Sequence, residues 1–197
     1  MNIFIFDLDG VLIDTCEMHF NLLNQALEML GHEPISLLTH KTMLNGLPTK
    51  EKLSKLGFVE GEIVKINELK QKLTHAAIEG LELNQNKKEL LRWLRSLGKK
   101  IGLVTNSTSA TVDRILANSD VKHLFDEIVT NSDVHNPKPD PEGYILAIER
   151  LAGDKRNVVI IEDSDNGYEA AVRSGAWCVK RVDGPEEVTI ELLKGLI

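Results

Sequence analysis

Ile3-Phe4-Ile5-Phe6-Asp7-Leu8-Asp9-Gly10 is the stretch on which the fold turns. Four β-favouring apolar residues in succession, without polar alternation, describe a strand buried on both faces, and the run stops at an aspartate. Similar runs recur at 101–105, 158–161 and 176–179, with a weaker one at 127–130. Helical patterns separate them. Leu90, Leu91, Leu94 and Leu97 form one stripe over 87–97, closed by Gly98; Ser109 caps a helix to about Ala117; Asp140-Pro141 opens one through Leu151; and 166–174 ends at Gly175. Parallel strands need crossover connections, so this alternation predicts a three-layer, Rossmann-like α/β core with helices on both faces of a parallel sheet.

The stretch 15–82 breaks the rhythm. Phe20, Leu23, Leu27 and Leu30 make a helical stripe closed by Gly31, further helical segments follow at 48–57 and 60–79, and no strand pattern occurs. The expected organisation is an α/β core domain of residues 1–14 and 83–197, with 15–82 inserted after strand one as an all-helical domain. A chain of 197 residues has room for one such domain and its insertion.

Composition narrows the partners. With 42% hydrophobic and 27% charged residues the chain can bury a core, which excludes a disordered or fibrous protein. The formal charge of −7 opposes unspecific attraction to nucleic acid or an anionic membrane, so an anionic substrate requires a local cluster of cations. No apolar run is long enough to cross a bilayer, and the opening residues lack a basic n-region, so they are expected to belong to the fold. Cys16 and Cys178 fit no metal or redox spacing and read as reduced thiols, the expectation for a cytoplasmic protein.

In an open α/β sheet the ligand crevice lies beyond the carboxyl ends of the strands. Those ends read Asp7-Leu8-Asp9-Gly10, Thr105-Asn106-Ser107 and Glu162-Asp163-Ser164-Asp165, with Asn136-Pro137-Lys138-Pro139-Asp140-Pro141 in a loop between. Carboxylates gathered at one sheet edge repel one another unless a cation neutralises them, and oxygen ligands select a hard ion such as Mg²⁺. A carboxylate beside such an ion can attack phosphorus, and Lys138, Thr105 and backbone N–H groups are the candidates to hold the equatorial oxygens.

Asp7-Leu8-Asp9-Gly10-Val11 with Asp14-Thr15, then Val104-Thr105-Asn106-Ser107, Lys138-Pro139-Asp140-Pro141, and Ile161-Glu162-Asp163-Ser164 with Gly167 resemble the four ordered motifs of the haloacid dehalogenase superfamily. Within it, the chain resembles the branch of β-phosphoglucomutase and phosphoglycolate phosphatase, whose members insert a helical cap after the first strand, which would make 15–82 the cap domain and 1–14 with 83–197 the catalytic core. The resemblance implies that Asp7 is nucleophile and metal ligand. Asp9 would be general acid and base, its carbonyl also on the metal. Thr105, the Asn106 amide and Lys138 would hold the phosphoryl group, and Glu162 and Asp163 would complete the Mg²⁺ shell.

Read singly, these residues say less. A lone D-x-D after a strand is more often a turn or helix cap, Lys138 alone would be a solvated loop lysine, and Ser107 and Ser109 read as helix caps. His19, near the expected hinge, reads as a helix-surface or packing residue, with a role in cap closure or substrate contact as the alternative.

Asp9 argues against a dehalogenase, which has no alkoxide to protonate. A phosphatase and a mutase share the phospho-aspartate and differ in its acceptor. Where the mutase grips a second phosphate with a lysine and an arginine, this chain has Asn45 and Thr49, with Lys50 adjacent. The expectation is therefore a Mg²⁺-dependent phosphatase acting on a small phosphorylated metabolite. A β-phosphoglucomutase-like transferase and a catalytically idle binding protein are the alternatives.

Overall fold

The computed structural model describes residues 1–197. Its centre is a five-stranded, wholly parallel sheet in the order β3-β2-β1-β4-β5, formed by β1 (Ile3–Phe6), β2 (Lys100–Val104), β3 (Glu127–Val129), β4 (Val158–Glu162) and β5 (Cys178–Arg181). Ile3 aligns with Lys100 on one side and Val158 on the other, which makes the opening strand the middle of the sheet. This is why it is apolar at every position: Phe4 and Phe6 point into one layer, Ile3 and Ile5 into the other.

Those layers are helical. Helices α5 (Gln85–Ser96), α6 (Ser109–Ser119) and the short α9 (Ile190–Lys194) pack Leu90, Leu91, Leu94, Val112, Ile115, Leu116 and Leu193 against the Phe4 face. Helices α7 (Glu142–Arg150) and α8 (Asp165–Arg173) pack Tyr144, Ala147, Ile148, Ala170 and Ala171 against the Ile5 face. Between β1 and α5 the chain is entirely helical: α1 (Cys16–Met29), a single turn α2 (Leu37–Thr39) running into a π-helical turn at His40–Leu44, α3 (Thr49–Lys55) and α4 (Glu60–Ala77). Leu23, Ala26 and Leu27 of α1 pack with Leu53 of α3 and with Ile63 and Ile66 of α4 in an apolar cluster of their own.

Some expected boundaries move. The fifth strand lies at Cys178–Arg181 rather than 176–179, because Trp177 N–H is diverted to the carbonyl of Lys155 before the ladder with β4 begins. Thr108, not Ser109, is the residue before the first turn of α6. Asp140 does act on the start of α7, accepting the N–H of Glu142 at 3.0 Å. The α2 and π-helical turns have no counterpart among the expected elements.

Candidate active site

The chain leaves β1 toward the helical insertion and leaves β4 toward α8, so a crevice opens where these neighbouring strand ends diverge. Asp7 follows directly on β1 and its N–H bonds to the carbonyl of Ile161, which pins its carboxylate beside the end of β4. Gly10 then turns the chain at φ +87°, and a Cβ there would lie 2.2 Å from Asp163 Oδ2. A side chain at position 10 would occupy the place of that carboxylate.

Lys138 is the cation of this floor. Only 5% exposed, its Nζ donates to Asp7 Oδ1 at 2.6 Å, to Glu162 Oε1 at 2.5 Å and to the Val104 carbonyl at 2.8 Å, and it stands 4.8 Å from the centre of the Tyr144 ring. Burial opposes its charge, but Asp7 and Glu162 outweigh that and hold it above the ordinary lysine value. Tyr144 gives its hydroxyl proton to the same Glu162 oxygen at 2.6 Å, and the N–H of Asp163 reaches the other at 3.1 Å. Both oxygens of the fully buried Glu162 are thus engaged, and Glu162 fixes Lys138 from behind.

Oxygens of Asp7, Glu162 and Asp163 lie within 4.8 Å of one another. One ammonium cannot neutralise three carboxylates. Burial drives Asp7 well above the usual range against the pull of Lys138, with repulsion from Glu162 and Asp163 adding to it, and burial together with Glu162 pushes Asp163 up to about 7. This all-oxygen, over-charged donor set suits a hard divalent cation.

Asp9 is treated differently. Thr15 donates to its Oδ1 and Ser107 to its Oδ2 at 2.7 Å, while Thr105 Oγ1 is more distant at 3.5 Å. His19 Nε2 lies 3.3 Å from Oδ1, off the line of a hydrogen bond. Burial raises the carboxyl, but the donors and His19 together outweigh it and hold Asp9 below the ordinary range. Asp7 and Asp9, two residues apart, are thereby driven in opposite directions.

The Asn106 side chain joins three loops. Its Nδ2 donates to the carbonyls of Gly46 at 2.8 Å and Lys138 at 3.2 Å, and its Oδ1 accepts the Lys138 N–H at 3.1 Å. Asn166 Nδ2 likewise donates to the Asn45 carbonyl at 2.6 Å. These bonds draw loop 45–48 over the strand ends. The backbone N–H groups of Leu8, Asp9 and Asn106 donate to no group of the chain. Together the strand ends, loop 45–48 and helices α3 and α4 bound a cavity of about 340 Å³, at the small end of ligand pockets.

All seven residues singled out from the sequence, Asp7, Asp9, Thr105, Asn106, Lys138, Glu162 and Asp163, come together here. Ser107, read as a helix cap, instead hydrogen-bonds Asp9, and its place at the end of β2 beside Thr105 was the available signal. Sequence reasoning did not find Tyr144, Lys52, Lys70 or His40. The first is buried behind Glu162, and the other three reach the cavity from the helical insertion.

Residues 4–180 match the family described as haloacid dehalogenase-like hydrolase. The chain belongs to that family. A phosphorylated carbohydrates phosphatase of Thermotoga maritima is 32% identical over 191 residues, 93% of this chain and 85% of that protein. Pyrophosphatase PpaX of Bacillus velezensis is 29% identical over 89% of this chain and 83% of its own length. Among solved structures, β-phosphoglucomutase of Clostridium difficile superimposes with a TM-score of 0.85 over 99% of this chain and 96% of that one, at 24% identity, which is a likeness of fold. No helix of this haloacid dehalogenase-like hydrolase is long and apolar enough to cross a membrane.

Proposed function

We propose that this hydrolase is a Mg²⁺-dependent phosphatase of small phosphomonoesters that works through a phosphoryl-enzyme on Asp7, with residues 15–82 acting as a cap over the core of residues 1–14 and 83–197. The observation that carries the reading is the meeting of Asp7, Asp9, Lys138 and Asp163 in one cavity, Asp7 beside an ammonium and two carboxylates and Asp9 among hydroxyl donors. The phosphatase relative from Thermotoga maritima supports the reaction class.

Asp7 and Asp163, with the Asp9 carbonyl and Glu162 beside them, would hold the metal. When bound, Mg²⁺ supplies positive charge that keeps Asp7 ionised and neutralises phosphoryl oxygens. Lys138 orients the Asp7 carboxylate and adds a second charge toward those oxygens. The unengaged N–H groups of Leu8, Asp9 and Asn106 and the hydroxyl of Thr105 form the remaining donors. An Asp7 oxygen attacks phosphorus while the P–O bond to the alcohol breaks, and Asp9 gives its proton to the leaving oxygen. The incoming phosphate dianion favours the protonated form of Asp9 that this step needs. Asp9 then takes a proton from water, the water oxygen attacks phosphorus, the bond to Asp7 breaks, and inorganic phosphate departs.

The test is phosphate release from a panel of sugar phosphates and phosphoglycolate, with Mg²⁺ and with chelator. Wild-type protein is expected to turn over with Mg²⁺, and Asp7→Asn to lose at least about 10³-fold in kcat. Equal release by wild type and Asp7→Asn would defeat the proposal. Quantitative conversion of β-glucose 1-phosphate to glucose 6-phosphate would replace hydrolysis with the mutase reaction.

A further inference from the structure

The cavity has two unlike walls. The sheet side carries the carboxylates and Lys138. The helical side carries Lys52 of α3 and Lys70 of α4, which are 9% and 7% exposed and both line the cavity. Neither forms an ion pair. Lys52 Nζ has His40 Nε2 at 3.4 Å as its polar neighbour, and Lys70 Nζ has His19 Nδ1 at 3.1 Å. Imidazole offers a lone pair but no negative charge. Asp9 is the acid that attracts both lysines, and its oxygens are already engaged by Thr15 and Ser107.

The other buried lysines are built in. Lys138 has two carboxylates and a carbonyl, and Lys87 donates to the carbonyls of Pro185 and Val188. Lys52 has only a histidine, and burial lowers it to about 8. An ammonium removed from water without a counter-ion is costly, and a protein retains one chiefly where a ligand brings the missing charge. In a chain of formal charge −7, this wall is the local cation cluster that an anionic substrate needs.

We propose that Lys52, backed by His40, is an anion subsite for a second acidic group of the substrate, so that preferred substrates carry a carboxylate or a second phosphate besides the transferred phosphoryl group. The proposal rests on the phosphatase reading for the identity of the transferred group. It amends the expectation drawn from Asn45 and Thr49, whose neutrality suggested that a second anion would be poorly held. The positive charge enters instead from the third residue after Thr49, on the first turns of α3. Lys70 adds to the potential of the same wall and is drawn toward the Asp9 side by its contact with His19.

The experiment compares kcat/KM within substrate pairs that differ in the second anion: phosphoglycolate against 2-hydroxyethyl phosphate, and fructose 1,6-bisphosphate against fructose 1-phosphate. Wild-type protein is expected to favour the doubly acidic member of at least one pair by about tenfold or more. A preference in the first pair assigns the subsite to carboxylate and in the second to phosphate, and either supports the proposal. Lys52→Met should bring the ratio to within about threefold of unity while Lys52→Arg retains it. A wild-type ratio near unity in both pairs, or one unchanged by Lys52→Met, overturns it. Calorimetry of phosphoglycolate and the bisphosphate binding to Asp7→Asn protein separates this from failure of the parent reading. Adding Lys52→Met should weaken binding of one of them about tenfold even if no ester is hydrolysed, and equal affinities overturn the subsite. Lys52→Met should also raise the unfolding midpoint of ligand-free protein, because an unpaired charge leaves the interior. A lowered midpoint would reveal a structural partner for the ammonium and count against the proposal.

Discussion

Replacing Lys138 by methionine keeps the length of the side chain and removes the one cation between Asp7 and Glu162. The ammonium is 5% exposed, its carboxylate partners 7% and 0%, and the contacts are 2.6 and 2.5 Å. Truncating one partner of a buried ion pair costs about 3–5 kcal/mol, because the other charge is left without compensation. Here two carboxylates are stranded beside Asp163, so the upper end of that range is expected in metal-free protein. For a chain of this size each kcal/mol moves the unfolding midpoint by roughly 2–4 °C, giving a fall of roughly 10–20 °C at that upper end.

The same reasoning predicts a rescue. Glu162→Gln removes one stranded charge and leaves an oxygen to accept the Tyr144 hydroxyl, so the double variant should be more stable than Lys138→Met by about 1–3 kcal/mol. Urea unfolding of wild type, both single variants and the double variant at pH 7 in chelator measures the cycle. A loss below about 1 kcal/mol for Lys138→Met, or a double variant no more stable than that single one, would refute the view that Lys138 holds the acidic floor together.

Gly10→Ala places a methyl group against Asp163 in a left-handed backbone, and should cost about 1–2 kcal/mol together with a loss of Mg²⁺ affinity. Calorimetry showing unchanged metal binding would contradict this. Tyr144→Phe removes a donor to a buried carboxylate and should destabilise by about 1.5–3 kcal/mol in urea, and a neutral result would show Glu162 to be satisfied without it. Asp7 and Asp163 have raised folded values, Asp163 to about 7, so each binds more protons folded than unfolded and its contribution to stability falls as pH rises from about 4 to about 7. His19 and His40 are lowered and act in the opposite sense over much of that window, so the informative quantity is the Mg²⁺-induced rise in unfolding midpoint at each pH. It should grow from pH 4 to 7 as metal and protons compete for the carboxylates, and a pH-independent rise would exclude Asp7 and Asp163 as ligands.

What could be read in advance followed from how local each signal was. The central strand was legible because burial on both faces leaves an unbroken apolar run, and Asp7, Asp9, Thr105, Asn106, Glu162 and Asp163 were legible because they end such runs. Lys138 needed its flanking prolines and its order among the motifs. Lys52 and Lys70 carried no mark, since on an isolated helix each has the pattern of a solvated lysine, and only the packing of α3 and α4 over the strand ends encloses them. Tyr144 was hidden for the opposite reason: it reads as one more apolar position of α7, and its hydroxyl matters only because β4 delivers Glu162 to it. The fifth strand shifted because Trp177, 65% exposed, belongs to the turn before the ladder despite its β-favouring neighbours.

Asn106 and Asn166 grip the loop after the π-helical turn by the carbonyl oxygens of Gly46 and Asn45, atoms that every residue type provides. Gly46 alone has no latitude, since a Cβ there would fall 2.6 Å from Ser164 Oγ. The clasp is thus indifferent to what Asn45, Leu47, Thr49 and Lys50 present to the cavity. The side chains that line the cavity can therefore change over evolutionary time while the loop stays anchored over the strand ends.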